Sequence, residues 1–221
     1  MEKLRYYNLG LVTPSVIKDI WNYTTEIPTL FSYTPNKTTI KLSGGLGLDE
    51  KIKADSVPSD IKIIEIDSPV RTSFIVDKNL LGFQFHHPDT AEYHSLTKAV
   101  EVIVIKAVRG AGIQLIEREN DVFFVKGGME KKFFGMMEKP TIEGWKVAVF
   151  SITMKFNSKL ANKIYRFDDE KFTKKGDIAD ISTIVGGLDE VVKLDREKLT
   201  TDIVRLLAER YDMELEEKPY E

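Results

Sequence analysis

The sequence predicts an α+β (mixed α/β) domain, one sheet flanked by helices. Three observations predict it. Short β-branched and aromatic runs punctuated by Pro, Asn, Gly and Asp fill the stretch from Thr29 to His87. Helical periodicity takes over from Ala91 to Arg109 and again from Asp195 to Tyr211. Between those two helices, strand-like runs return around a Gly127-Gly128 turn.

Element by element, Met1 to Tyr7 is polar and no long apolar run follows it, so no secretory leader or membrane anchor is expected. Thr13-Pro14 offers an N-cap and a first-turn proline, and Val16, Ile17, Ile20 and Trp21 recur at helical spacing behind them. Strands are expected at Thr29–Tyr33, Thr39–Leu42, Ile61–Ile66, Thr72–Val76 and Leu80–His86. Leu96, Ala99, Val100, Ile103 and Ala107 share one side of the next helix, and Gly110 follows its end. Gln114–Glu117, Val122–Val125, Lys132–Met137 and Lys146–Phe156 read as further strands, and the remainder reads as helical. Leu199, Ile203, Leu206 and Leu207 form the apolar stripe of the last helix, within a C-terminal stretch Asp195 to Glu221 that ends in an acidic tail. No repeat or linker divides the chain, so residues 1–221 are read as a single domain without an accessory domain.

Composition excludes several chemistries. With 221 residues, 42% of them hydrophobic, the chain can bury a core without a disulfide or metal. The 32 basic and 35 acidic side chains leave a net charge of −3, which removes the field that drives nucleic-acid binding. A cytoplasmic protein that engages neither nucleic acid nor membrane is expected. There is no cysteine, which excludes thiolate metal sites and thiol nucleophiles. His86 and His87, adjacent on a strand, point to opposite faces, and neither they nor His94 has a third ligand nearby, so no metal site built from protein ligands alone is expected. Gly44-Gly45-Leu46-Gly47 precedes Leu48-Asp49-Glu50 rather than a lysine and Ser or Thr, and reads as a flexible turn. No Gly-x-Ser-x-Gly occurs. Lys131 and Lys132 open a strand that continues Phe133-Phe134-Gly135. A lysine there, with glycine allowing close approach, can hold an acyl-phosphate anhydride; it can equally be a solvated strand lysine.

The order of elements and several motifs together resemble the lipoate-protein ligase A family, within the biotin/lipoate ligase fold, over nearly the whole chain. The motifs are Leu9-Gly10-Leu11-Val12-Thr13-Pro14, Pro28-Thr29-Leu30, Leu80-Leu81-Gly82-Phe83-Gln84-Phe85, and Asn120-Asp121-Val122 followed ten residues later by Lys132-Phe133-Phe134-Gly135. The resemblance implies a central, mostly antiparallel sheet. It implies Lys132 as the residue that stabilises charge on an acyl-adenylate, with Asn120, Asp121 and Gly135 at the nucleotide. Phe167-Asp168-Asp169-Glu170-Lys171-Phe172 and Lys174-Lys175-Gly176 resemble the segment over the nucleotide, which adds Lys171 and Lys175.

The family pattern Arg-Arg-x-x-Gly-Gly-Gly-x-Val-x-His-Asp aligns with Ile66 to Asp77, where Asp77 alone is retained. Ile66 and Asp67 replace the arginines, Val70, Arg71 and Thr72 replace the glycines, and Val76 replaces the histidine. Arg71 is the candidate to restore the lost positive charge. Without cysteine, the thioester-forming acyltransferases of this fold are closed to the chain. Two readings follow from the resemblance. One is a ligase that uses ATP and magnesium to attach lipoate, octanoate or a related acyl group to a carrier-domain lysine, with a remodelled site and no covalently bound cofactor. The other is a catalytically inactive relative that binds a carrier domain, an acyl ligand or a catalytic partner. A separate accessory subunit is compatible with both. Lys155, Lys159, Lys163 and Arg166 offer a basic face to an acidic carrier, or a solvated helix face.

Overall fold

The computed structural model describes residues 2–43, 52–66, 73–109, 112–118, 121–142, 144–165 and 180–220. The elements run β1 (Glu2–Val12), α1 (Pro14–Trp21), β2 (Thr29–Pro35), β3 (Thr39–Ser43), β4 (Lys62–Ile66), β5 (Ser73–Val76), β6 (Leu80–Pro88), α2 (Leu96–Arg109), β7 (Leu115–Arg118), β8 (Asp121–Lys126), β9 (Met129–Pro140), β10 (Trp145–Thr153), α3 (Ser158–Ile164), α4 (Arg196–Arg210) and β11 (Met213–Glu217). Eight strands form one sheet in the order β11-β1-β2-β6-β10-β9-β8-β7, and β4-β3-β5 form a second, smaller one. In the large sheet β1 runs parallel to both β11 and β2, and the remaining pairs are antiparallel. The mixed α/β, mostly antiparallel architecture expected from the sequence is present.

Alternation along the strands assigns the two faces of the large sheet. Leu30, Leu81, Phe83, Phe85, Ala148, Phe150, Ile152, Val122 and Phe124 turn toward α2 and α4, which contribute Val100, Ile103, Val104, Ile203 and Leu207 to the same core. Phe83 and Phe150, opposite each other on β6 and β10, stack at 4.8 Å. On the other face, α1 lays Ile17 and Ile20 against Val12, Phe31 and Tyr33. Pro14 opens α1 as expected, although Thr13 caps it without a side-chain bond; its hydroxyl pairs with Ser15 instead. Asp195 accepts from the Lys198 amide at 2.9 Å and starts α4.

One edge of the large sheet and the stretch before α4 depart from the sequence reading. The polar opening residues are part of an 11-residue strand, β1, in which Leu4 and Tyr6 are buried between exposed and half-buried neighbours. The acidic tail folds back as β11, in parallel register from Glu2 with Met213 to Tyr6 with Glu217. Lys3 and Arg5 lie beside Glu216, so the charges that mask the strand character also protect the sheet edge. Between β10 and α4 the described residues form the seven-residue α3 and short turns at Ile181–Thr183 and Leu188–Glu190, where a helix was expected.

Candidate active site

A β-bulge creates the site. Between β8 and β9 the register shifts, so that Val122 faces Phe134 but Phe123 faces Lys132, leaving Phe133 as the extra residue. Phe133 and Phe134 both enter the α2/α4 core, each 1% exposed. Two consecutive aromatics on one face are impossible in a regular strand; the bulge makes it possible and turns Lys132 to the opposite face. The Lys132 backbone is then held by the segment after Thr183: its N–H donates to Ile184 O (2.8 Å) and its carbonyl accepts from Gly186 N (3.0 Å).

On that face the register lines up one row across five strands: Tyr33, Gly82, Ser151, Gly135 and Asp121. Lys132 leans over the Asp121 end, its Nζ 2.6 Å from Asp121 Oδ1. A Cβ on Gly135 would sit 3.3 Å from Lys132 Cε and 3.4 Å from Asp121 Oδ1, so the missing side chain lets the pair lie close to the strand. At the other end the Tyr33 ring lies on Gly82, where a Cβ would come within 2.5 Å of the ring. Burial pushes the Tyr33 hydroxyl up to about 12, against a hydrogen bond with Gln84 that lowers it, so it stays protonated. In side-chain size the row is a trough, small at the centre, charged at one end and aromatic at the other.

Of the residues singled out in the sequence, the structure brings together Asp121, Lys132 and Gly135. Asp77 lies in the β5–β6 turn, where its carboxylate accepts from the Asn79 amide (2.8 Å) and the Asn79 side chain (3.3 Å). Asn120, Arg71, Lys171 and Lys175 lie outside the described residues, as do Asp67, Val70, Thr72, the glycines around Leu46, and Arg166. Lys131, pointing to the helix side of β9, is tied to Glu190 at 2.8 Å beside a cavity of about 320 Å³ that Lys155, Ser158 and Ser182 also line. Lys155, Lys159 and Lys163 are exposed. The sequence reading passed over Tyr33 and Ser151; the available signal was Gly82, a lone glycine inside an otherwise bulky strand.

His86 and His87 point to opposite faces as expected, but both are 1% exposed rather than ordinary strand-end polar groups. His86 packs edge-on to Tyr23 and Phe31, and burial lowers its pKa to about 4. His87 Nε2 meets Glu138 Oε1 at 3.1 Å while Thr97 bonds the second Glu138 oxygen at 3.2 Å. Burial alone raises the Glu138 carboxyl, and these bonds outweigh it and hold it low. Among the described residues no three His, Asp or Glu side chains converge as a metal site, and no helix is long and apolar enough to cross a membrane.

No family model matches the sequence, and comparison with curated proteins finds no match. Solved structures do match. An archaeal bipartite lipoate protein ligase from Thermoplasma acidophilum, described with its E2 lipoyl domain, superposes with a TM-score of 0.80 at 16% identity, covering 100% of this chain and 88% of that one. A lipoate-protein ligase A bound with ATP gives 0.72 at 14%, covering 100% and 90%. LipL1 of P. falciparum in complex with lipoate gives 0.69 at 12%, covering 97% and 65%. The chain has the lipoate-protein ligase fold. Within that fold, its Lys132–Asp121 pair occupies a bulged strand beside a trough floored by Gly82, Ser151 and Gly135.

Proposed function

We propose that the chain is a lipoate-protein ligase-like protein that attaches lipoate, octanoate or a related acyl group to a carrier-domain lysine through an acyl-adenylate, in a remodelled site. The observation that carries this reading is the bulge at Phe133, which spends a sheet irregularity to set Lys132 beside Asp121 on the Gly135 trough. Core packing of the two phenylalanines would be met as well by any residue at position 132; an ammonium held 2.6 Å from a carboxylate is not required by it.

In this reading the acyl chain lies along the trough with its carboxyl group at Lys132. ATP supplies the adenylyl group that activates the carboxyl, with loss of pyrophosphate, and the carrier amine then displaces AMP to form an amide. The Lys132 ammonium stabilises charge on the carbonyl and phosphate oxygens, and Asp121 orients that ammonium until the ligand is bound. With one carboxylate in reach and that one engaged by Lys132, the described residues do not make a magnesium site of their own; magnesium fits as an ion brought by the phosphates of ATP.

The alternative, an inactive relative that binds a carrier domain, an acyl ligand or a partner, is favoured by one feature: Tyr33 fills the trough over Gly82, which leaves the open floor to Ser151 and Gly135. One experiment separates them. Purified protein with ATP, magnesium, lipoate or octanoate and a carrier domain should add the acyl mass to the carrier, and Lys132→Ala should abolish the addition. No mass gain with either acid refutes ligation for that carrier, and unaltered transfer by the variant removes Lys132 from the chemistry.

A further inference from the structure

Two lysines are equally buried, at 7% exposure, and they are not alike. Lys131 is neutralised by Glu190 at 2.8 Å. Lys41, on the central strand of the small sheet, makes no hydrogen bond or ion pair with any described residue, and burial is the single influence on its ammonium, which it pulls down to about 8. The register shows where it points. Ile40 and Leu42 face Ile52 and Ile164 of α3, so Lys41 stands on the other face, between Ile64 on β4 and Phe74 on β5. The alternation that serves the sheet asks for an apolar residue there; Lys41 instead buries its aliphatic stem and carries its charge at this face with no partner among the described residues.

We propose that Lys41 anchors an oxyanion site on the face of the small sheet turned away from α3, its ligand a phosphate or carboxylate group. Three N–H donors on a single positive charge suit either anion, and the apolar flanks of Ile64 and Phe74 lower the local dielectric and strengthen the contact.

Titration of the full-length protein with inorganic phosphate, pyrophosphate, AMP and octanoate as separate arms, at constant ionic strength, tests it by calorimetry and thermal unfolding. At least one probe should bind the wild type and raise its melting temperature; the phosphate arms and the octanoate arm tell the two sources apart. Lys41→Met should unfold at the same or a higher temperature without ligand, because methionine keeps the buried stem and removes a charge on an otherwise apolar face, and should bind the same probe about tenfold or more weakly. Lys41→Arg should keep the binding. As a measurement that needs no variant, the bound probe should protect Lys41 of the wild type from reductive methylation while Lys132 or another exposed lysine reacts. The site is refuted if no probe binds the wild type, if the Met variant binds equally well, or if Lys41 is methylated at the same rate with the probe bound.

Discussion

The two faces of the large sheet teach different lessons. Under α2 and α4 the face is mostly apolar from β2 to β8, and its buried polar members are paired, Lys131 with Glu190 and His87 with Glu138. The opposite face is divided. α1 covers Val12, Phe31 and Tyr33 at one side, while across β6, β10 and β9 lie Gly82, Ser151 and Gly135, ending in Asp121 and Lys132. Packing with a few paired polar groups explains the first face, and packing explains the second only as far as Tyr33. Small and charged residues beyond that point contribute little to the core, which is why the site is sought there.

The largest test of the contrast is Phe150→Ala. The ring is 1% exposed and stacked on Phe83, so its loss should cost about 3–5 kcal/mol in denaturant unfolding. A cost below about 1 kcal/mol would mean that the helix-covered face does not dominate stability.

Next in size is a pH effect from the α1-covered part of the other face. The folded His86 titrates near 4 because it is buried, against 6.5 in the unfolded chain. The unfolded chain therefore binds the extra proton between those values. The His86 contribution is present in full above about pH 6.5 and is lost as pH falls to about 4, amounting to roughly 3 kcal/mol at about 1.4 per unit. Unfolding free energies from pH 7 to 4 should show the slope, and His86→Phe should flatten it; an equal slope in the variant would assign it elsewhere.

This division also explains what could be read from the residues alone. β6, α2 and α4 bury one consistent stripe or run, so periodicity placed them within a few residues. The first half of β1 and all of β11 were missed because β1 there buries only the alternate Leu4 and Tyr6, and β11, at the sheet edge, buries Met213 alone, each among charged residues; the alternation of Leu4 with Tyr6 was the faint signal. Asp121, Lys132 and Gly135 were singled out through the family resemblance and its motif spacing, not through strand periodicity, which would have put Lys132 on the core side, and the ion pair between the first two was not foreseen. The bulge is a consequence of Phe133 and Phe134 both demanding the core, a competition between neighbours that no single-residue propensity records. Tyr33 over Gly82 is a contact between residues 49 positions apart by number, visible only once β2 and β6 are paired.

That contact makes the third prediction. Gly82→Ala places a methyl group 2.5 Å from the Tyr33 ring and should cost about 1–3 kcal/mol. In a double-mutant cycle with Tyr33→Phe the penalty should remain, since the ring and not the hydroxyl is struck, whereas Tyr33→Leu should relieve part of it. A Gly82→Ala protein as stable as wild type would show that the ring moves aside easily and that the trough is longer than it looks.

The smallest effect on stability should come from the residue with the largest effect on function. The Lys132 side chain is 41% exposed and its carboxylate partner 28% exposed, so water screens their 2.6 Å pair and Lys132→Ala should change unfolding by no more than about 1 kcal/mol. Its aliphatic stem rests on Gly135, which has no side chain to lose contact with. Acyl transfer or acyl-adenylate binding should nevertheless disappear in the same variant. If Lys132→Ala instead destabilises as much as Phe150→Ala, the lysine belongs to the structural half of the comparison, and the bulge exists to seat two phenylalanines rather than to present a cation. If it leaves both stability and ligand response intact, the open face is merely solvated. Only the combination of small structural and complete functional loss supports a site on this face.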